Sequence, residues 1–136
     1  MSIQEDAIMS HKLNREPDGP GVVIAFSGIV DADEIDRLQE QIDSDESFPQ
    51  LLYQIWDYSN AEEINVSIEE IQHIAMKTAV ATSNHPKQRI AIIPRKSSKN
   101  VLGATFHTFE KVWGTCESDS FEDVDAAREW GMSRRK

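Results

Sequence analysis

The chain reads as a single α/β domain: a mostly parallel central sheet of about five strands, opened by an antiparallel hairpin and covered by about four helices. Three observations predict this. Pro17-Asp18-Gly19-Pro20-Gly21 is a strong turn signal, because proline presets φ and glycine accepts positive φ. The runs Val22-Val23-Ile24-Ala25-Phe26 and Ile90-Ala91-Ile92-Ile93 are apolar without interruption, as strands covered on both faces are. After the hairpin, strand-like and amphipathic segments alternate, which implies right-handed crossovers and parallel pairing.

Ala7 to Leu13 is the first expected strand and Gly21 to Ser27 the second. Asp31, with Glu34 three residues on, marks a helix start. Ile35, Leu38 and Ile42 form its apolar stripe, and Asp33, Asp36, Glu40 and Asp43 its polar face. Leu51 to Trp56 is the third strand, closed by Asp57-Tyr58-Ser59. Ser67 and Glu70 fit an S-x-x-E capping box, followed by Ile68, Ile71, Ile74 and Ala75 on one side of a helix that stops at Asn84-His85-Pro86. Arg89 to Pro94 is the fourth strand. A third helix runs from about Lys99 to Trp113, with Leu102, Phe106, Phe109 and Trp113 at helical spacing and Gly114 as its stop. A short strand near Cys116 to Phe121 leads to a last helix from Asp123, in which Ala126, Ala127 and Trp130 face inward and which Gly131 ends. One domain is expected over 1–136, with 1–6 and 132–136 as loose tails.

The 136 residues suffice to bury roughly two-thirds of the unfolded surface, so no metal or disulfide staple is needed. A formal charge of −10 argues against a nucleic-acid footprint and against anchoring on anionic lipid. Cys116 is the only cysteine, which excludes an intrachain disulfide. Met1-Ser2-Ile3-Gln4-Glu5-Asp6 lacks the basic and apolar regions of a signal peptide, and no run approaches the roughly 18 apolar residues of a membrane helix. A cytoplasmic protein with no transmembrane segment is expected.

The element order, an acidic residue ending the third strand and a serine capping the next helix together resemble the STAS domain (sulphate transporter and anti-sigma-factor antagonist), in its SpoIIAA-like branch of small bacterial proteins. The resemblance spans nearly the whole chain: the hairpin, Trp56-Asp57-Tyr58-Ser59, the strand from Arg89 to Pro94, and Ala126-Ala127-Arg128-Glu129-Trp130-Gly131. It implies a regulatory module that binds a protein partner. In STAS antagonists a short Asp-Ser-Ser-Gly-like motif opens the helix after this strand, and a kinase phosphorylates one of its serines. Here the place reads Ile64-Asn65-Val66-Ser67-Ile68: Ser67 matches in position, while the acid, the paired serine and the glycine are absent. The resemblance therefore implies Ser67 as the candidate phosphosite.

The residues themselves offer a candidate rim. Ser67 as an N-cap satisfies a free backbone N–H, and as a phosphate acceptor would place negative charge beside a positive helix end, opposed by Glu62, Glu63, Glu69 and Glu70. Asp57 and Ser59 either cap their own loop or belong to a binding surface. Arg95-Lys96-Ser97-Ser98-Lys99-Asn100 is a basic cluster before a helix start, where free N–H groups and the helix dipole suit an anion. Parallel strands would bring Arg95, Lys96 and Lys99 to one rim with Asp57, Ser59 and the loop from Gly28 to Asp31.

No catalytic set is visible. His11, His73, His85 and His107 lack zinc-ligand spacing, and no P-loop, G-x-S-x-G or G-x-G-x-x-G occurs. No metal or cofactor is expected, His107 reads as a packed residue, and Cys116 as a buried, inert thiol. Phe106, Phe109, Trp113, Trp130 and Met76 read as core, or alternatively as the lining of a pocket for a lipid or other small apolar ligand between helices and sheet. The apolar helix faces also allow a homodimer.

Overall fold

The hairpin forms where proline and glycine require it. β1 (His11–Arg15) and β2 (Gly21–Asp31) pair antiparallel, from His11 opposite Phe26 to Arg15 opposite Val22. The Glu16 N–H donates to the Gly21 carbonyl at 2.9 Å and closes the turn. The computed structural model describes residues 11–17, 20–85, 87–96, 100–113 and 116–133. The expected strand residues before His11, and Asp18, Gly19, Pro86, Ser97, Ser98, Lys99 and Gly114, lie outside the described residues, as do the Trp113 side chain and both tails apart from Met132 and Ser133.

Three strand–helix units follow. Asp31 is the N-cap of α1 (Ala32–Asp43): its Oδ1 accepts the Glu34 N–H at 2.9 Å. After a 3₁₀ turn at Phe48–Gln50, β3 (Tyr53–Asn65) runs parallel to β2 and leads to α2 (Ile68–Thr82). β4 (Arg89–Ile93) precedes α3 (Val101–Trp113), and β5 (Glu117–Ser120) precedes α4 (Val124–Met132), whose N-cap Asp123 accepts the Ala126 N–H at 2.8 Å. The sheet has five strands in the order β1-β2-β3-β4-β5, with every pair after the hairpin parallel. The α/β architecture expected of the sequence is therefore present.

Alternation along the strands divides the interior into two cores. Val22, Ile24 and Phe26 of β2, Trp56 and Tyr58 of β3, and Ile90 and Ile92 of β4 meet Ile35, Leu38 and Ile42 of α1, Ile71 and Ile74 of α2, and Leu102 and Phe106 of α3. The opposite face, with Tyr53, Ile55, Ala91 and Ile93, packs on Ala127 of α4, flanked by Phe121, Val124 and Trp130. Helices α1 to α3 thus cover one face and α4 the other. β4 is buried along its whole length, whereas Val23 and Ala25 of β2 are only half-buried because α4 alone covers their face.

Some expectations fail locally. Ile68 stands at the first helical position, clear of the core, and is 61% exposed. Ala126 points to solvent, so Ala127 is the inward alanine of α4. Gly131 does not end α4 but lies buried inside it, against the ring of Tyr53.

Candidate functional site

β4 stops at Ile93 because Pro94 has no N–H to continue the ladder. β2 and β3 run on without it as a two-stranded arm, pairing as far as Asp31 with Asn65. Asp57-Tyr58-Ser59, expected to close β3, does not: Tyr58 and Ala61 are still buried and Ser27 to Asp31 supply a paired neighbour. The expected loop from Gly28 to Asp31 is likewise strand.

Two register shifts mark the arm, between Ala25 and Ser27 and between Gly28 and Ile29, each with one extra residue on β3. At the first, Asp57 Oδ1 accepts the Ser59 N–H at 2.9 Å, holding the bulge closed. Between the two, Gly28 has φ 67°, a left-handed conformation that glycine adopts without strain. Asp57 and Ser59 therefore lie within a strand, both half-buried.

Where β4 has ended, the Arg95 side chain takes over one of its hydrogen bonds: Nε donates to the Ala61 carbonyl of β3 at 3.0 Å. Lys96 follows and is exposed, while Lys99 lies outside the described residues. Arg95 and Lys96 border a groove of about 500 Å³ with Pro94, Ser120, Phe121 and Glu122. The groove lies at the carboxyl ends of β4 and β5, the ligand-binding edge of open α/β sheets.

Ser67 stands apart from this group. Asn65 is eight positions beyond Asp57 on the bulged β3 and its partner Asp31 six beyond Ala25 on β2, so Ser67 lies at least roughly 20 Å along the arm from Asp57. There it completes the capping box of α2: its Oγ accepts the Glu70 N–H at 3.1 Å, and its own N–H donates to Glu70 Oε1 at 2.8 Å. The structure brings Asp57, Ser59 and Arg95 onto one arm but carries Ser67 to its far end.

The residues that sequence reasoning missed lie beside the groove. Ser118 and Ser120 alternate onto the face of β5 that meets α3, and both hydroxyls reach His107: Nδ1 is 2.7 Å from Ser118 Oγ and Nε2 is 2.8 Å from Ser120 Oγ. Asn100 caps α3, accepting the Gly103 N–H at 2.9 Å, and donates from Nδ2 to Ser120 Oγ at 2.9 Å. A helix N-terminus expected to offer a free N–H to an anion thus spends Gly103's on Asn100. His107 is half-buried rather than simply packed, and burial lowers its pKa, so the ring is neutral near pH 7. The pattern Ser-x-Ser was the available signal, yet its partner became visible only once α3 was seen to pack on β5.

Cys116 is half-buried, and burial first, then Glu110, pushes its thiol up to about 12. Among the described residues no group of three or more His, Cys, Asp or Glu side chains is placed to hold a metal. The aromatic set does not line one pocket: Phe106 and Phe109 belong to the first core, Trp130 to the second, and Met76 is 47% exposed. Between α1 to α3 and the sheet, the free space among Gln39, Gln54, Trp56, Thr78 and Phe106 is about 30 Å³, room for about one water and too small for a lipid. No helix of the described residues is long and apolar enough to cross a membrane.

No family model matches this chain, and no curated protein does. Solved structures do. The anti-sigma factor antagonist SpoIIAA in its unphosphorylated form aligns over 90% of this chain and 100% of its own, at 15% identity and a TM-score of 0.54. The Bacillus cell fate determinant SpoIIAA in the phosphorylated form aligns over 89% and 98%, at 13% identity and a TM-score of 0.51. An uncharacterised Shewanella loihica protein with a SpoIIAA-like fold aligns over 89% and 91%, at 15% identity and a TM-score of 0.49. The chain has the SpoIIAA-like, STAS-type fold.

Proposed function

We propose that this protein is a non-catalytic regulatory module of the STAS type, which binds a protein partner along the carboxyl-end rim of its sheet. The rim comprises Asp57 and Ser59 on the arm and Arg95, Lys96 and Lys99 after β4, with Ser67 at the arm's far end as the candidate phosphate acceptor. The observation that supports it best is the arm itself. Beyond Asp57, the described residues give β3 a strand neighbour on the β2 side only, apart from the Arg95 bond to Ala61. Such an edge, with cations beside it, suits recognition of an extended or acidic segment of another protein. The fold shared with SpoIIAA, an anti-sigma factor antagonist, points the same way.

The test is affinity purification from the source cell with the wild type and with a D57N/K96E/K99E variant. Arg95 is left intact because it holds the Ala61 carbonyl, and asparagine preserves the acceptor that closes the bulge. A partner retained by the wild type and lost by the variant, at unchanged melting temperature, is the expected result. A partner retained equally by both removes the rim. Phosphopeptide mapping of the same wild-type material decides whether Ser67 carries phosphate.

A further inference from the structure

The cluster of Asn100, Ser120, His107 and Ser118 is a directed chain. Asn100 Oδ1 is fixed by the Gly103 N–H, so the amide's Nδ2 end is the one that meets Ser120. A neutral imidazole has one N–H and one lone pair, so one serine donates to His107 and the other accepts from it. Ser120 Oγ already receives the Asn100 N–H. With its own proton on His107 Nε2 and the Nδ1–H donated to Ser118 Oγ, every bond polarises the next in the same direction. Ser120 is the serine of the pair that lines the groove, whose charged lining residues are Arg95, Lys96 and Glu122, while the neighbouring Asp119 carboxylate accepts the Ser120 N–H at 2.8 Å.

We propose that Ser120 is a phosphoryl-acceptor serine, separate from the helix cap at Ser67, with His107 Nε2 as the base for its proton and Arg95 and Lys96 as the seat of the phosphate. In the transfer, Oγ attacks the γ-phosphorus of a nucleoside triphosphate presented by a kinase. The Oγ–P bond forms, the bond from that phosphorus to the β-bridging oxygen breaks, the nucleoside diphosphate leaves with the electron pair, and the proton passes to Nε2. Burial, against the opposing charge of Asp119 and with the help of Lys111, lowers the His107 pKa and keeps the base unprotonated at neutral pH. With the Glu122 and Asp119 carboxylates beside them, Arg95 and Lys96 hold a dianion anchored through Oγ rather than a free one. Because Arg95 also holds the Ala61 carbonyl, phosphate here would act directly on the arm. The inference shares with the rim reading only Arg95 and Lys96.

The test needs no partner and no kinase, so it can fail while the rim reading stands, or the reverse. The full chain is treated with an alkyl fluorophosphonate, whose phosphorus is attacked by Oγ with loss of fluoride and transfer of the proton to His107. Intact mass and peptide mapping locate the adduct. One label on Ser120 is expected, unchanged in S67A, absent in S120A, about 100-fold slower in H107Q and several-fold slower in K96Q, which leaves the Arg95 bond to Ala61 in place. No label on Ser120, or wild-type rates in H107Q or in K96Q, would overturn the proposal. If H107Q does not fold, the wild-type pH profile serves in its place: the rate must fall on acidification as the imidazole protonates, and a flat profile overturns the proposal.

Discussion

Glu16 is buried at the hairpin turn and is held from two directions: the Tyr53 hydroxyl donates to Oε1 at 2.8 Å, and Arg128 donates from Nε to Oε1 at 2.5 Å and from Nη2 to Oε2 at 3.3 Å. The Arg128 bond, more than the opposing desolvation, lowers the Glu16 pKa from its ordinary 4.5. A carboxyl whose folded pKa is depressed contributes stability above its unfolded value and loses it as the pH falls through the folded one. R128A is therefore expected to cost roughly 2 kcal/mol at pH 7, between an exposed and a buried pair because Arg128 is partly solvated. That deficit should shrink as the pH falls below 4.5, which urea titrations of both proteins at pH 7 and pH 3.5 measure directly. A deficit independent of pH would mean that Arg128 acts by packing alone. None of this is legible in the sequence, where Glu16 and Arg128 lie 112 positions apart. The His107 cluster was hidden for the same reason: a histidine near an apolar stripe and a polar edge strand become a hydrogen-bonded chain only through tertiary packing.

The helices and most strands were legible because each announces itself within a few residues. Asp31, Ser67 and Asp123 cap where their side-chain oxygens can reach an N–H three residues on, a rule with no tertiary content. The end of β3 was not legible. Asp57-Tyr58-Ser59 is a local turn pattern, and its continuation as a bulged strand depends on pairing with Ser27 to Asp31. Because β3 continues past Ser59, Ser67 stands not on the expected shared rim but at the far end of an arm. For α2, the capping box gives a sharp expectation. S67A should destabilise the protein by about 1 kcal/mol and S67G by only a few tenths, since glycine leaves the cap open to water. Chemical denaturation with an unchanged m-value checks both. Equal losses in the two variants would show that the Ser67 side chain is needed for something other than the cap.

How the two layers of the molecule are joined turns on Tyr53. Its ring lies between two glycines: Gly21 opposite it on β2 and Gly131 on α4, while its hydroxyl is tied to Glu16 and through it to Arg128 of α4. A side chain at either glycine would occupy the ring's own space, so the close seating of α4 on the sheet requires both. At Gly131, a Cβ would stand 2.6 Å from Tyr53 Cγ and 2.8 Å from Tyr53 Cβ, atoms at the root of a side chain in a central strand, which cannot swing aside. Two effects then compete in G131A. Alanine favours the helix over glycine by about 1 kcal/mol, while overpacking a close contact costs about 1–3 kcal/mol. The contact is expected to win, because yielding would also lengthen the Arg128 and Tyr53 bonds to Glu16 and open the second core around Ala127 and Trp130. G131A should therefore be less stable than the wild type by about 1–2 kcal/mol. Amide exchange should show that loss concentrated in Val124–Met132, with α1 to α3 retaining their protection, because those helices cover the other face of the sheet. A stabilised G131A would show instead that helix propensity governs this end of the chain and that α4 does not seat on Tyr53.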